Sequence, residues 1–354
     1  RPDSVTFSSA EEDAQRRDFT INGMFFDPLQ NKVYDFVGGQ EDLAQRILRA
    51  IGKPQDRFRE DKLRLLRAAR MAARFDLSIE PETFDAVKAM ASQITVVSAE
   101  RIADELRKML VHRRRTRGME LLRELVLIRP ILPELLEMID LPQGPPAHPT
   151  GDLWQHVMKV LDVLEGPTWP TPQPVSFALA FAALLHDVAK RRTVGRTPDR
   201  YTFHGHEHVG KRMAGDIALR LKLSNVEKDR IEWLVERHQY LCDAPHMRLS
   251  RLKPILVHPG IGELLALHRA DSVATGKSVA HVEFCERMLR ENTPSELNPP
   301  PLITGDDLIS MGVKPGPQFK ELLDAVREAQ LEGTITTFDE ARNLLKRLLD
   351  EKGQ

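Results

Sequence analysis

Apolar residues recur at spacings of three and four along most of the chain. The runs EDKLRLLRAARMAARF, SAERIADELRKML, GMELLRELVLI, LWQHVMKVLDVLE, FALAFAALLHDVAK, EHVGKRMAGDIALRLKL, NVEKDRIEWLVERHQYL and IGELLALHRADSVA all keep this rhythm. That period places the apolar positions on one face of a helix. One region departs from it. Residues 19–37 hold DFTINGMFFD and KVYDFV on either side of PLQN, and the turn residues between two such runs predict a β-hairpin. Proline-rich breaks at 142–149, 167–174 and 294–301 mark connections, the first and last being the best domain boundaries. The tail, 302–354, reads as a small helical module around GVKPGP, and no internal repeat is found. The expected fold class is mainly α with one short hairpin near the start.

With 354 residues and 41% hydrophobic content, the chain can bury more than one core. No uninterrupted apolar run approaches the roughly 20 residues a spanning helix needs, so no membrane partner and no signal peptide are expected, and the cytoplasm is the default address. Cys242 and Cys285 are too few for a disulfide framework or a thiolate metal site. A net charge of −1 argues against wholesale coating of nucleic acid, but the charge is unevenly spread. From 44 to 74 ten Lys/Arg face three acids, and from 101 to 117 seven basic residues face Asp104 and Glu105. Such stretches suit phosphate, although a solvated helix face has the same composition.

Within EDKLRLLR, Asp61 and Arg64 stand three apart and therefore share one helix face. An acceptor beside a donor fits the pairing edges of cytosine and adenine, which present an amino group next to a ring nitrogen. Uracil and guanine present a carbonyl next to an N–H, which such a pair leaves unmatched. Mismatches of that kind allow selectivity on the order of 10⁴-fold. An ordinary intrahelical ion pair has the same spacing.

Three motifs in succession widen the context: RRDFTIN (16–22), DFVGGQEDLAQRILRAIGKPQDRFREDKLRLLRAARMAARF (35–75) and SAERIADELRKML (98–110). In this order they resemble the class II tRNA nucleotidyltransferase and bacterial poly(A) polymerase family, which builds or repairs CCA ends, over roughly the first 140 residues. The resemblance implies that Arg17 and Asp18 contact the ribose of an incoming nucleotide and that Asn22 supports the pocket. Asp61 and Arg64 would template the base, Arg67 would lie near the triphosphate, and Glu100, Arg101 and Glu105 would be scaffold residues of the neck. Gly23 stands where the family usually has alanine. The family's Mg²⁺-binding Asp-x-Asp pair, preceded by a glycine-rich loop, has no counterpart in these residues. The expectation is an N-terminally incomplete family member without its carboxylates for nucleotidyl transfer, binding nucleotide weakly by itself.

Eleven of the 12 histidines fall between 148 and 281. His156 borders the stripe of Leu153, Val157, Val160 and Leu161, while His186 and Asp187 end a helix that is apolar nearly all round. A carboxylate there demands a counter-charge. Asp271 falls on the face of Leu264 and His268, and His238 on that of Ile231 and Leu234. Taken singly, each histidine reads as a satisfied core residue. Together, His156, His186–Asp187 and Asp271 resemble the HD-domain phosphohydrolase signature, whose side chains hold a divalent cation. Imidazole and carboxylate suit Mn, Fe, Ni, Zn or Mg. His206 and His238 match the second-metal positions of binuclear members, with His204 and His208 as possible decoys for His206. Lys190 matches the HDxxK form and could meet a substrate phosphate, or could simply sit on a helix C-terminal dipole.

HD domains occur fused behind the neck and body of bacterial CCA-adding enzymes, so the two resemblances imply one organisation. Residues 1–45 would be a nucleotidyltransferase-head remnant, 46–145 a helical neck and body, 146–293 an all-α HD domain and 294–354 a helical tail. The implied activity is CCA addition to tRNA from CTP and ATP. The alternatives are an HD phosphohydrolase acting on RNA or nucleotide phosphoesters, a poly(A) polymerase, and a non-catalytic RNA-binding protein. The oligomeric state is left open.

Overall fold

A computed structural model describes residues 9–142, 151–197 and 201–352. The chain divides into two compact units, one formed by residues up to 166 with 174–236, the other by 167–173 with 237–354. Apart from Pro142, the proline-rich connection at 142–149 lies outside the described residues.

In the first unit, Met24–Asp27 pairs antiparallel with Lys32–Asp35, setting Phe25 opposite Tyr34 and Phe26 opposite Val33. The turn is made by side-chain chemistry. Asp27 Oδ1 accepts the N–H groups of Leu29 at 2.8 Å and Gln30 at 3.2 Å, and Asn31 takes φ 50°. Two further pairings were not expected: Ile47–Leu48 runs parallel to Ser78–Ile79, and Gly195–Arg196 antiparallel to Tyr201–Thr202. Two-residue strands are too short to show a period of two.

The single helix expected from residue 60 is instead two. Pro54–Glu60 ends at Asp61, whose backbone is extended at φ −145° and ψ 108°, and Leu63–Phe75 begins beyond it. Across the break Asp61 Oδ1 accepts the Leu63 N–H at 3.0 Å, a side-chain bond to the backbone two residues on. Asp61 and Arg64 therefore do not share one helix face in the manner their spacing suggested.

The Leu63–Phe75 helix buries Leu65, Leu66, Ala68, Ala69 and Ala72, and it ends at Asp76 in the left-handed region, φ 57°. It packs against Ala99–Leu110 and Arg115–Glu124. A buried ion pair sits between the first two of these helices, with Arg70 Nε donating to Glu105 Oε2 at 2.6 Å. Arg115, also buried, donates through Nε to the Leu110 carbonyl at 2.8 Å and through Nη1 to those of Leu161 and Leu164 at 3.1 and 2.9 Å. It thereby satisfies carbonyls at the end of Leu153–Val163, the helix that carries His156. Arg107 with Glu227, Arg220 with Glu134 and Lys222 with Glu100 also tie residues 100–134 to residues 220–227. The unit thus continues across the 145/146 division drawn from the sequence.

Phe177–Leu185 is buried along nearly its whole circumference, as its composition predicted, and Ser176 Oγ caps it by accepting the Leu179 N–H at 3.0 Å. Further helices include Pro81–Met90, His206–Arg220 and Asn225–Arg237, the last of which stops one residue short of His238.

The second unit is helical among its described residues. It contains Leu249–Leu256, Ile261–Ala274, Ala280–Glu291, Pro317–Leu331 and Phe338–Lys352, with shorter helices at Pro294–Leu297 and Gly305–Ser310. The last part closes on Ile303, Leu308, Leu322, Val326, Ile335, Ala341 and Leu345. The proline segment after 294 is tied down: Arg327 Nη1 donates to the Pro299 carbonyl and Gln330 Nε2 to that of Pro300, both at 2.7 Å.

Replacing Glu105 with alanine strands the buried Arg70 guanidinium. Urea unfolding should show a loss of about 3–5 kcal/mol, whereas the double change Arg70→Met with Glu105→Leu should lose far less.

Candidate functional site

A cavity of about 460 Å³ opens in the first unit between residues 17–22, the start of the Leu63–Phe75 helix with Asp61 just before it, and the start of Ala99–Leu110. Its lining includes Arg17, Asp18, Asn22, Asp61, Arg64 and Arg67, together with Leu63 and Arg101. All six residues singled out for a nucleotide lie on this one cavity, in the size range of small-molecule sites. Asp18, 5% exposed, is at its centre. Its Oδ1 accepts from the Phe19 N–H at 3.0 Å and from Asn22 Nδ2 at 3.1 Å, and its Oδ2 from Arg67 Nε at 2.6 Å. Burial works against the Arg67 charge, but the Asp18 hydrogen bond and charge outweigh it and raise the guanidinium pKa. Arg17 donates to the Asn22 carbonyl at 2.7 Å and to Asp13 at 2.8 Å, and its guanidinium lies 4.6 Å from the centre of the Phe25 ring.

The proposed base-reading pair is separated. Asp61 Oδ2 accepts from Arg101 Nη2 at 2.7 Å. Arg64 donates to Glu60 at 2.8 Å and to the carbonyls of Arg57 at 3.1 Å and Arg16 at 2.9 Å. An intrahelical Asp61–Arg64 ion pair is therefore not what the spacing encodes. Burial pushes the Asp61 carboxyl up, but the Arg101 and Leu63 hydrogen bonds and the charges of Arg101 and Arg64 more than reverse this, leaving it below the usual carboxylate range. Arg101, assigned to the scaffold on sequence, is thus a cavity residue. The sequence does hold a signal for it, because a cation in a helix's first turn opposes the macrodipole.

Several cations of the two basic stretches carry acidic partners. Arg46 and Arg114 pair with Asp76, Arg49 with Asp42, Arg59 with Asp56, and Arg117 with Glu124. Counting charges along the chain did not reveal these partners, several of which are 30 or more residues away in sequence.

A second cluster lies in the same unit. His156 comes from the Leu153–Val163 helix, His186 caps the end of Phe177–Leu185, Asp187 follows it, and His206 begins His206–Arg220. All four are at most 4% exposed. The His156 and His186 Nε2 atoms are 3.3 Å apart, Asp187 Oδ2 is 3.2 Å from His186 Nε2 and 3.5 Å from His156 Nε2, and Asp187 Oδ1 is 3.2 Å from His206 Nε2. Nδ1 of His186 lies 2.8 Å from the Ala183 carbonyl, and Nδ1 of His206 lies 2.7 Å from that of Phe203. A carbonyl only accepts, so each Nδ1 carries a proton, and Nε2 is the nitrogen that turns inward and can ligate a metal once it gives up its own proton. This is the arrangement of imidazoles that ligate a metal. Lys190 Nζ stands 2.6 Å from Asp187 Oδ2, not on a helix C-terminus, with the Phe203 ring 5.4 Å away. Burial raises the Asp187 carboxyl, but the His186 and Lys190 charges and the histidine hydrogen bonds overcome it and hold the group well below its ordinary range. Buried, ionised oxygens facing imidazole nitrogens fit a divalent cation.

Of HGHEHVG, His204 and His208 are exposed and His206 is buried. His238 and Asp271 belong to the second unit, His238 directly after the Asn225–Arg237 helix and Asp271 half-buried on Ile261–Ala274. In that unit His268 places Nε2 3.1 Å from the Arg237 carbonyl, and burial depresses its pKa to about 3.

Comparison with known proteins places these centres in a family. Residues 1–49 match a poly A polymerase head domain, 76–139 a probable RNA and SrmB-binding site of polymerase A, and 154–276 an HD domain. The A-adding tRNA nucleotidyltransferase of Deinococcus radiodurans is 35% identical over 96% of this chain and 80% of its own length. The chain belongs to the tRNA nucleotidyltransferase family. This nucleotidyltransferase is also 29% identical to the CC-adding tRNA nucleotidyltransferase of Thermus thermophilus over 95% of the chain and 76% of that protein. With the Multifunctional CCA protein of Dechloromonas aromatica it shares 36% identity over 80% of the chain and 66% of that protein. Its fold is that of the Bacillus stearothermophilus CCA-adding enzyme solved with CTP, at TM-score 0.70 and 23% identity over 99% of this chain and 77% of the other. The Thermotoga maritima CCA-adding enzyme complexed with tRNA aligns at TM-score 0.55 and 20% identity over 96% and 74%. Both component families use divalent metals. No helix among the described residues is long and apolar enough to cross a membrane.

Elemental analysis after dialysis against Mn²⁺ or Zn²⁺ should find metal retained by the nucleotidyltransferase. Asp187→Asn should weaken retention at least about 100-fold, and retention unchanged by that substitution would contradict the cluster's assignment.

Proposed function

We propose that the nucleotidyltransferase adds C and A to tRNA 3′ ends from CTP and ATP, in the cytoplasm and with Mg²⁺. The observation that carries this reading is the cavity in which Asp61, an acceptor, and Arg64, a donor, are held apart beside Arg17, Asp18, Asn22 and Arg67. Asp61 accepts from the exocyclic amino group of cytosine or adenine and Arg64 donates to the adjacent ring nitrogen. Uracil and guanine would set a carbonyl against the carboxylate and an N–H against the guanidinium. Arg17 and Asp18 take the ribose, and Asn22 orients Asp18. A guanidinium has several N–H donors, so Arg67 can hold Asp18 through Nε and offer the others to phosphate. The relatives named for A addition, CC addition and CCA synthesis favour tRNA as acceptor over general A-tailing.

A second activity is favoured by the His156, His186, Asp187 and His206 cluster. We propose a metal-dependent phosphohydrolase site for RNA or nucleotide phosphoesters, holding a divalent transition metal or Mg²⁺. The HD match also covers His238 and Asp271 of the second unit, the two further ligands the resemblance implies. A bound metal of this kind lowers the pKa of its water toward neutrality. Lys190 neutralises Asp187 and lies where an incoming phosphate would meet a cation.

The full-length gene product, given tRNA lacking its CCA end and one nucleoside triphosphate at a time, should incorporate C and A in preference to U and G. Exchanging Asp61 and Arg64 together for alanine should lower that preference by about 100-fold or more, and preference unchanged in that variant would sink the base-reading assignment. Phosphate release from a 2′,3′-cyclic substrate with metal supplied should vanish in Asp187→Ala, and no release from the unaltered protein would exclude the second activity.

A further inference from the structure

We propose that Arg101 is the positioning residue that keeps the Asp61 carboxylate away from the Arg64 guanidinium, so that acceptor and donor both stay open to a base. The inference rests on the nucleotide-pocket reading above and goes beyond it, because it assigns selectivity to a residue that need not touch the base.

An aspartate and an arginine three residues apart around a helix start ordinarily find each other. Here they do not. Arg101 Nη2 holds Asp61 Oδ2 at 2.7 Å while the Leu63 N–H holds Oδ1 at 3.0 Å. On the other side, Glu60 and the Arg57 and Arg16 carbonyls occupy Arg64. Release of Asp61 would leave Arg64 as a cation close enough to bias its charge. The two would then pair, consuming the donor and the acceptor on each other. Pinned by Arg101, the carboxylate still has lone pairs to spare, since it offers about four acceptor positions and two are used.

The location of Arg101 supports the assignment. It is the third residue of Ala99–Leu110, within the first turn, where the helix dipole disfavours a cation. Its side chain is 52% exposed, so packing does not offset that placement, and an exposed ion pair contributes little stability. A residue that breaks a local rule without a return in stability is expected where a site needs it. The helix is also registered for the task. Glu105, one turn further along the same face, is locked on buried Arg70 of the Leu63–Phe75 helix, and this fixes the reach of Arg101 to Asp61.

The experiment measures kcat/KM for CTP and for UTP on tRNA with the full-length gene product. It compares the unaltered protein with Arg101→Ala, Arg101→Lys, Asp61→Ala and the Arg101→Ala, Asp61→Ala double variant. Arg101→Ala should lower the CTP-over-UTP ratio about tenfold or more while shifting the melting temperature by no more than about 2 °C. Lysine, which keeps the charge but not the planar fork, should restore part of the ratio. In the Asp61→Ala background, removing Arg101 should change the ratio no further, because Arg101 acts through Asp61. An unchanged ratio in Arg101→Ala, or an equal drop with and without Asp61, overturns the proposal. An unaltered protein that uses UTP as readily as CTP overturns the pocket reading and the proposal with it.

Discussion

A carboxylate at a break between two helices organises the cavity of the first unit. Asp61 ends one helix with extended backbone, and its side chain accepts the N–H of the first residue of the next. Because it stands in the gap, its second oxygen can face Arg101 and the cavity rather than lie along a helix surface. The same turn brings Arg64 to the other wall, on carbonyls from residues 16 and 57. A continuous helix would give the pair a shared face and the simplest outcome of that spacing, an ion pair closed on itself.

The two centres of the first unit solve opposite versions of one electrostatic problem. In the cavity, partly exposed charges each keep a fixed partner, Asp61 with Arg101, Arg64 with Glu60 and Arg67 with Asp18. Around Asp187 the burden is desolvation: a fully enclosed carboxylate is held ionised by two histidines and Lys190. Backbone carbonyls finish the second arrangement by fixing the proton on Nδ1 of His186 and His206. Arg115 then ties the His156-bearing helix to the neck through three carbonyls.

What the sequence revealed follows the range over which each feature is encoded. The hairpin was legible because Asp27 and Asn31 make its turn within five residues. The Phe177–Leu185 helix was legible from its unbroken apolar run. The break at Asp61 was hidden, since EDKLRLLR contains no glycine or proline. The resemblance singles out His206 over His204 and His208, and His206 is the buried one of the three. The partners of the basic windows were hidden for a related reason. A count along the chain cannot see that Arg114 meets Asp76 or that Arg107 meets Glu227. Nor could periodicity show that Arg101, on the face that carries Glu105, reaches another helix.

The central claim is that base identity is read by an acceptor and a donor held apart. A crystal structure of the full-length gene product with CTP tests it most directly. The account requires the cytosine amino group within hydrogen-bond distance of Asp61, the ring nitrogen on Arg64, and Arg101 still bound to Asp61. A complex in which Asp61 and Arg64 pair with each other while cytosine is held by other groups would contradict it.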